Sequence, residues 1–239
     1  MRDVDYVSLD FACTTFWEPG CDPKYSFRYA RDTLLKILDM LREKGYSIRE
    51  LDDPYKFYRE ILDSTYRTIP GEPWIRYVLL KVLLKLGVDT DEYIIDEISD
   101  FYVKERSRHF IPQPGLEMLL KTIIARGYRI VLTTAITSHD IVKNVLEHSG
   151  LMKYFKLIFS TQMVGLKKSD PKFYSQLVET LCVEPYMVIH VGDDLVTDIE
   201  PARINGLKTI YYGWRTKCRA SDPQPCILEL REVLNYLPP

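Results

Sequence analysis

Residues Val4–Thr15 read Val-Asp-Tyr-Val-Ser-Leu-Asp-Phe-Ala-Cys-Thr-Thr. The first seven, Val4–Asp10, are a short and mostly apolar run that ends on a carboxylate. Such a run fits a strand buried on both faces, with Asp10 at its C-terminal end. The same form recurs down the chain. Tyr128–Thr133 is an apolar run ending in a hydroxyl, and Leu157–Ser160, Met187–Val191 and Thr209–Tyr212 are further apolar runs. Between them lie helical patterns at Leu116–Arg126, Ser138–Ser149, Pro171–Leu181 and Asp198–Asn205. Strands alternating with helices of about 10 residues predict an α/β fold, a doubly wound parallel sheet of Rossmann-like type.

The stretch from about Pro23 to Arg108 differs. Leu34, Leu35, Leu38 and Leu41 recur at helical spacing up to Gly45, and Tyr55–Thr68, Trp74–Leu86 and Asp91–Arg106 read as further helices. No strand pattern interrupts them. Pro112-Gln113-Pro114-Gly115 marks a boundary, because proline stops a helix and glycine permits a turn. The expected division is an α/β core of residues 1–15 and 109–239, with an inserted all-α unit at 16–108. Ser221–Pro225 reads as a loop before a final short helix.

The composition is globular, with 46% apolar and 28% charged residues in 239. Lys and Arg number 32 against 34 Asp and Glu, a net charge of -2. Binding nucleic acid through its phosphates calls for a positive excess, so no nucleic-acid partner is expected. No apolar run approaches the roughly 18–20 residues of a membrane span, so no membrane partner is expected. The acidic N-terminus runs straight into a strand, which gives no sign of a signal peptide and makes a cytoplasmic location the default. Nothing in the sequence speaks to oligomeric state.

The five cysteines (Cys13, Cys21, Cys182, Cys218 and Cys226) show no Cys-x-x-Cys spacing. They are expected to be reduced or buried thiols rather than a zinc site or a disulfide framework. Asn and Gln together number only seven. Scarce amides with abundant charge point to a thermophile, where intracellular disulfides do occur, so a Cys218–Cys226 pair stays open.

In open parallel sheets, ligands bind beyond the C-terminal ends of the strands. Here those ends carry Asp10, Thr133 and Gly192-Asp193-Asp194, and the pair Lys167-Lys168 follows the Leu157–Ser160 run. Clustered carboxylates raise one another's pKa unless a cation neutralises them. A hard divalent ion such as Mg²⁺ suits oxygen donors beside phosphate.

Asp10-Phe11-Ala12-Cys13-Thr14-Thr15, Thr133, Lys168 and Gly192-Asp193-Asp194-x-x-x-Asp198 together resemble the four motifs of the haloacid dehalogenase (HAD) superfamily, in order, spacing and strand context. The resemblance covers essentially the whole chain, and the helical insert looks like the cap that part of this family places after the first motif. It implies a hydrolase with Asp10 as nucleophile, Thr133 hydrogen-bonded to the transferring group and Lys168 neutralising charge. It also implies Mg²⁺ held by Asp10, the Ala12 carbonyl, Asp193 and Asp198, with Asp194 behind them or as an alternate ligand. The resemblance further implies that Thr14 supports the loop after Asp10 and that Thr14, Thr134 and Trp17 are substrate-binding residues, Thr134 also being the rival candidate hydroxyl. Trp17 lies where core joins cap and is expected to face the cleft, whereas Tyr55, Tyr58 and Tyr66 read first as cap core. The partner implied is a small phosphorylated metabolite.

Two departures stand out. The proline that usually follows the site lysine comes late, at Pro171, which leaves Lys167 as a rival to Lys168. Phosphatases of the superfamily also carry an acid/base aspartate two residues after the nucleophile, and this chain has Ala12. Losing such a group costs on the order of 10²–10⁴ in rate. The leading expectation is a Mg²⁺-dependent phosphohydrolase with an altered acid, acting on a good leaving group, with Glu18 as a weak substitute. One alternative is C–P cleavage like that of phosphonoacetaldehyde hydrolases, whose Ala and Thr-Thr pattern is similar, using a cap lysine (Lys24, Lys36, Lys44, Lys56, Lys81, Lys85 or Lys104). Another is 2-haloacid dehalogenation, which the Gly-Asp-Asp-x-x-x-Asp motif disfavours. The last is a non-catalytic relative that binds a phosphorylated ligand or a protein. His109, His139, His148 and His190 read as structural or surface residues, His190 as a core histidine.

Overall fold

The structure, a computed structural model, describes residues 4–21, 28–215, 217–219 and 221–239. Pro23, where the helical insert was expected to begin, and Lys24 lie outside the described residues.

Five strands run through the interior: β1 (Tyr6–Asp10), then β4 (Arg129–Thr134), β5 (Leu157–Ser160), β6 (Val188–Gly192) and β7 (Lys208–Tyr212). A two-residue strand β8 (Cys226–Ile227) completes a parallel sheet of order β5-β4-β1-β6-β7-β8. Two short strands that the sequence did not signal, β2 (Phe16–Trp17) and β3 (Ile111–Pro112), pair antiparallel. They form a ribbon through which the chain leaves and re-enters the sheet unit. Their shortness hides any alternation.

All five residues of β1 are buried. Alternation along the strand divides them between two cores. Val7 and Leu9 join one apolar cluster, whereas Tyr6 packs in the other with Phe159, Phe173 and Tyr174. Fully burying one such aliphatic side chain contributes about 1.5–3 kcal/mol. Helices α5 (Leu116–Ala125), α6 (His139–His148), α8 (Lys172–Leu181) and α9 (Glu200–Ile204) flank the sheet, and the single turn α7 (Thr161–Val164) follows β5. This is the doubly wound α/β fold expected. Because β4 and β6 lie on opposite sides of β1, the chain reverses direction around β1. That reversal opens a crevice at its C-terminal end.

Among the described residues, four helices lie between β2 and β3: α1 (Arg28–Glu43), α2 (Pro54–Thr68), α3 (Ile75–Leu86) and α4 (Glu92–Ser107). Local chemistry sets their ends. The Asp53 side chain accepts from Lys56 N at 3.0 Å and the Asp91 side chain from Ile94 N at 2.8 Å, which caps α2 and α4. Gly87, at φ 79°, closes α3 in the left-handed conformation. Leu34, Leu38 and Leu41 of α1 are buried in the same apolar cluster as Val7 and Leu9. The closing segment Leu230–Tyr236 is a 3-10 helix.

Two cysteine pairs correct the expectation of free thiols. Cys13 is bonded to Cys21, and Cys218 to Cys226. The second was the pair left open. The first escaped notice because both partners sit in the irregular segment after β1, whose path a sequence pattern does not fix. Cys182 is free and exposed.

Candidate active site

Strand register brings the site together. Asp10 of β1 lies opposite Thr133 of β4, and Leu9 opposite Val191 of β6, so Asp10, Thr133 and Gly192-Asp193 share one edge. The loop after Asp10 folds back on itself. Thr15 Oγ1 donates to the carbonyls of Asp10 at 2.8 Å and Phe11 at 3.1 Å, and Cys13 takes φ 67°, a left-handed conformation disfavoured for a side chain with a Cβ.

One carboxylate oxygen each of Asp10, Asp193 and Asp198 lies within 4.8 Å of the others. Lys168 reaches into this group from the loop before α8 and is only 2% exposed. Its ammonium is bound to Asp10 Oδ1 and lies 2.5 Å from Asp198 Oδ1. Thr14 Oγ1 donates to Asp193 Oδ1 at 3.1 Å, and Arg215 Nη2 lies 3.3 Å from Asp193 Oδ2.

Three carboxylates share these cations unequally. Burial raises the Asp10 carboxyl, and Asp198 and Asp193 add repulsion; Lys168 pulls the other way but leaves it at about 8. Burial and the charge of Asp198 push Asp193 up to about 6, against Arg215 and Thr14. Burial also opposes ionisation of Asp198, but Lys168 and His190 outweigh it and hold that carboxyl well below its usual value. Burial disfavours the Lys168 ammonium, yet Asp10 and Asp198 outweigh it and push its pKa up. One lysine thus stabilises Asp198 and leaves the negative charge of Asp10 and Asp193 undercompensated.

The remaining candidates fall in different places. Thr133 Oγ1 is buried and 3.4 Å from the Leu9 carbonyl, while Thr134 Oγ1 accepts from Ile136 N at 3.1 Å. Lys167 stays outside the cluster. It donates to the Tyr66 carbonyl at 2.9 Å and stacks over the Tyr66 ring. The exposed Asp194 side chain caps the turn after β6, accepting from Val196 N and Thr197 N, both at 2.8 Å. Its backbone N–H, not its carboxylate, reaches the cluster, at 3.0 Å from Asp198 Oδ2. That turn is a π-type turn over Leu195–Ile199 ahead of α9, so Asp198 sits inside the first turn instead of starting the helix. Ala12 bridges to Phe16, and Trp17 pairs with Ile111 in the ribbon. Glu18, the weak substitute acid, is bound to Arg106 in a buried ion pair and is not available for that role.

Behind Asp198 stands His190, the core histidine the sequence reading expected, with two residues that reading passed over, Ser8 and Tyr174. His190 is fully buried and lies opposite Ser8 in the register. Ser8 Oγ is 2.9 Å from His190 Nδ1, Tyr174 Oη is 3.1 Å from His190 Nε2, and His190 Nε2 is 3.5 Å from Asp198 Oδ1. Tyr174 also donates to the Thr197 carbonyl at 3.0 Å. This chain holds the Asp198 carboxylate in place. The available signal was a polar residue at matching positions of two otherwise apolar strands, Ser8 and His190.

Comparison with known proteins places the chain. The family profile described as "Haloacid dehalogenase-like hydrolase" matches residues 57–212. "Haloacid dehalogenase-like hydrolase domain-containing protein 3" of Mus musculus is 26% identical over 143 residues, 59% of this chain and 56% of its own length. "Phosphoserine phosphatase" of Thermus thermophilus is 27% identical over 139 residues, 57% of this chain and 55% of its own. The chain therefore spans little more than half the length of these two relatives. The crystal structure of a 2-haloacid dehalogenase from Pseudomonas syringae pv. Tomato superposes with a TM-score of 0.76 over 98% of both chains at 23% identity, a likeness of fold. The chain belongs to the haloacid dehalogenase-like hydrolase family.

Proposed function

We propose that this protein is a Mg²⁺-dependent phosphohydrolase that moves a phosphoryl group from a small phosphorylated metabolite to Asp10 and then to water. The observation that carries this reading is the convergence of Asp10, Asp193, Asp198 and the Lys168 ammonium at one strand edge. The phosphatase name of the Thermus thermophilus relative supports it.

The donor set fits the ion. Three carboxylate oxygens are hard ligands, and their charge is undercompensated within the protein. Asp10, Asp193, Asp198 and the Ala12 carbonyl would hold Mg²⁺. When bound, the ion neutralises charge on the phosphoryl oxygens.

The chain's own residues do the rest. The Asp10 carboxylate attacks phosphorus and forms an acyl phosphate. Lys168 offsets the negative charge that builds up on the equatorial oxygens, and the Thr133 hydroxyl donates to one of them. Thr14 fixes Asp193, and the Ser8–His190–Tyr174 chain fixes Asp198. In this reading residues 1–15 and 109–239 act as the catalytic core, and residues 16–108 act as a cap that excludes water and selects the substrate, with Trp17 and Thr134 on the substrate side.

C–P cleavage would require a desolvated cap amine. Lys36 is instead paired with Glu105, Lys44 lies 2.9 Å from Glu97, and Lys81 donates to Thr65. The test is a panel of phosphate esters, phosphonoacetaldehyde and 2-chloropropionate, assayed with and without Mg²⁺. Phosphate release that EDTA abolishes and Mg²⁺ restores is expected. Metal-independent halide release would refute the proposal.

Gly192 gives a second test, independent of turnover. A Cβ at this position would run into the Asp198 carboxylate. Gly192→Ala is expected to weaken Mg²⁺ binding by about 10–100-fold, as other displaced ligand supports do. Titration calorimetry on the folded variant reads this directly; unchanged affinity would remove Asp198 from the ligand set.

A further inference from the structure

The loop joining α2 to α3, residues 69–74, is seated on the strand edge that carries Asp10. A Cβ on Gly71 would lie 2.7 Å from the Gly165 carbonyl, so only glycine allows this backbone approach. Ile75 N, at the far end of the loop, donates to the Thr137 carbonyl at 2.8 Å. The loop is thus anchored on the segments that follow β5 and β4. Between these anchors the Glu72 carboxylate accepts the backbone N–H of Lys168. Tyr66 Oη stands 3.5 Å from Glu72 Oε1, and Lys167 binds the Tyr66 carbonyl from below. Among the described residues, the charged and titratable groups facing Glu72 are Tyr66, Lys167 and Lys168. Lys168 thus touches both carboxylates, Glu72 through its backbone N–H and Asp10 through its ammonium.

We infer that Glu72 is the acid and base of this enzyme, doing from the inserted helices what Ala12 cannot do from the core. The inference rests on the phosphohydrolase reading above. An in-line attack by Asp10 places the leaving oxygen on the far side of phosphorus, away from the end of β1, the side on which the α2–α3 loop brings Glu72. Among the described residues, the other carboxylates near the site are engaged. Asp193 and Asp198 belong to the cluster, Asp194 caps its turn and Glu18 is bound to Arg106. Burial pushes the Glu72 carboxyl above its usual range, against the pull of Lys168 and Lys167, which favours its holding a proton.

The steps balance. As the Asp10–phosphorus bond forms and the phosphorus–leaving-oxygen bond breaks, the Glu72 proton passes to the leaving alkoxide. The Glu72 carboxylate then takes a proton from the water that attacks the acyl phosphate. Phosphate leaves, Asp10 is freed and Glu72 is protonated again. An enzyme with this acid does not need an activated leaving group. Its substrate class widens from acyl and enol phosphates to ordinary alkyl phosphate monoesters.

The experiment compares Glu72→Gln with wild type on glycerol phosphate, whose leaving group needs a proton, and on 2,4-dinitrophenyl phosphate, whose leaving group does not. The quotient of kcat/KM, dinitrophenyl over glycerol ester, should rise by about 10²–10⁴ in the variant. Adding Ala12→Asp to Glu72→Gln should bring the quotient back down, which separates lost acid catalysis from damaged folding. An unchanged quotient, or an equal fall on both esters that Ala12→Asp does not relieve, would overturn the role of Glu72. Acyl phosphate formation at Asp10 is followed in the same wild-type samples. Labelled wild type with an unmoved quotient refutes only the Glu72 inference, whereas wild type that never labels refutes the phosphohydrolase reading itself.

Discussion

Asp10→Asn should abolish turnover while leaving the protein folded. The amide cannot attack phosphorus, and removal of a covalent nucleophile costs on the order of 10⁴–10⁶ in kcat. The fold should tolerate the change because the site already disfavours an ionised Asp10. Burial and the neighbouring carboxylates hold its carboxyl at about 8, so a neutral group of the same shape meets little penalty. Circular dichroism and a melting temperature within a few degrees of wild type should accompany the loss of phosphate release. Activity above a hundredth of wild type would remove Asp10 from the nucleophile's role.

Lys168→Met should be damaging twice over. The ammonium contacts Asp10 and Asp198 at once, with almost no exposure to water. Without it the buried Asp198 carboxylate keeps its contacts to Asp194 N and His190 but loses the cation that compensates its charge, and breaking a buried pair costs about 3–5 kcal/mol. Losing one charge-stabilising donor also costs about 10²–10³ in kcat. Urea unfolding in EDTA reads the first effect, and steady-state kinetics on the folded fraction reads the second. Lys167→Met serves as the contrast, because Lys167 contacts Tyr66 and not the carboxylates. A Lys167 variant as inactive as the Lys168 variant would contradict this division between the two lysines.

The sheet was legible because its strands are buried on both faces and read as uninterrupted apolar runs. Val4–Asp10 and Met187–Val191 coincide with β1 and β6 to within two residues at either end. The ribbon of Phe16–Trp17 with Ile111–Pro112 was not legible, since two residues carry no period. The residues that converge at the strand edge were named from their position after strands, which topology alone brings together. Arg215, Tyr174 and Glu72 were missed for one common reason. Each reaches the site from a loop or helix whose docking depends on tertiary packing, and no local spacing announces it. The Cys13–Cys21 bond belongs to the same class. Glu18 shows the converse, a carboxylate close in sequence to the nucleophile that the fold turns toward Arg106 instead.

The most direct test of the central claim is to trap the acyl phosphate. Protein mixed with Mg²⁺ and a phosphate ester that it turns over is quenched in acid within the first turnovers, reduced with borohydride and mapped by mass spectrometry. A modification confined to the side chain of Asp10 in wild type, and absent from Asp10→Asn, is the predicted result. Steady phosphate release with Asp10 unmodified, or a modification that persists in Asp10→Asn, would contradict it.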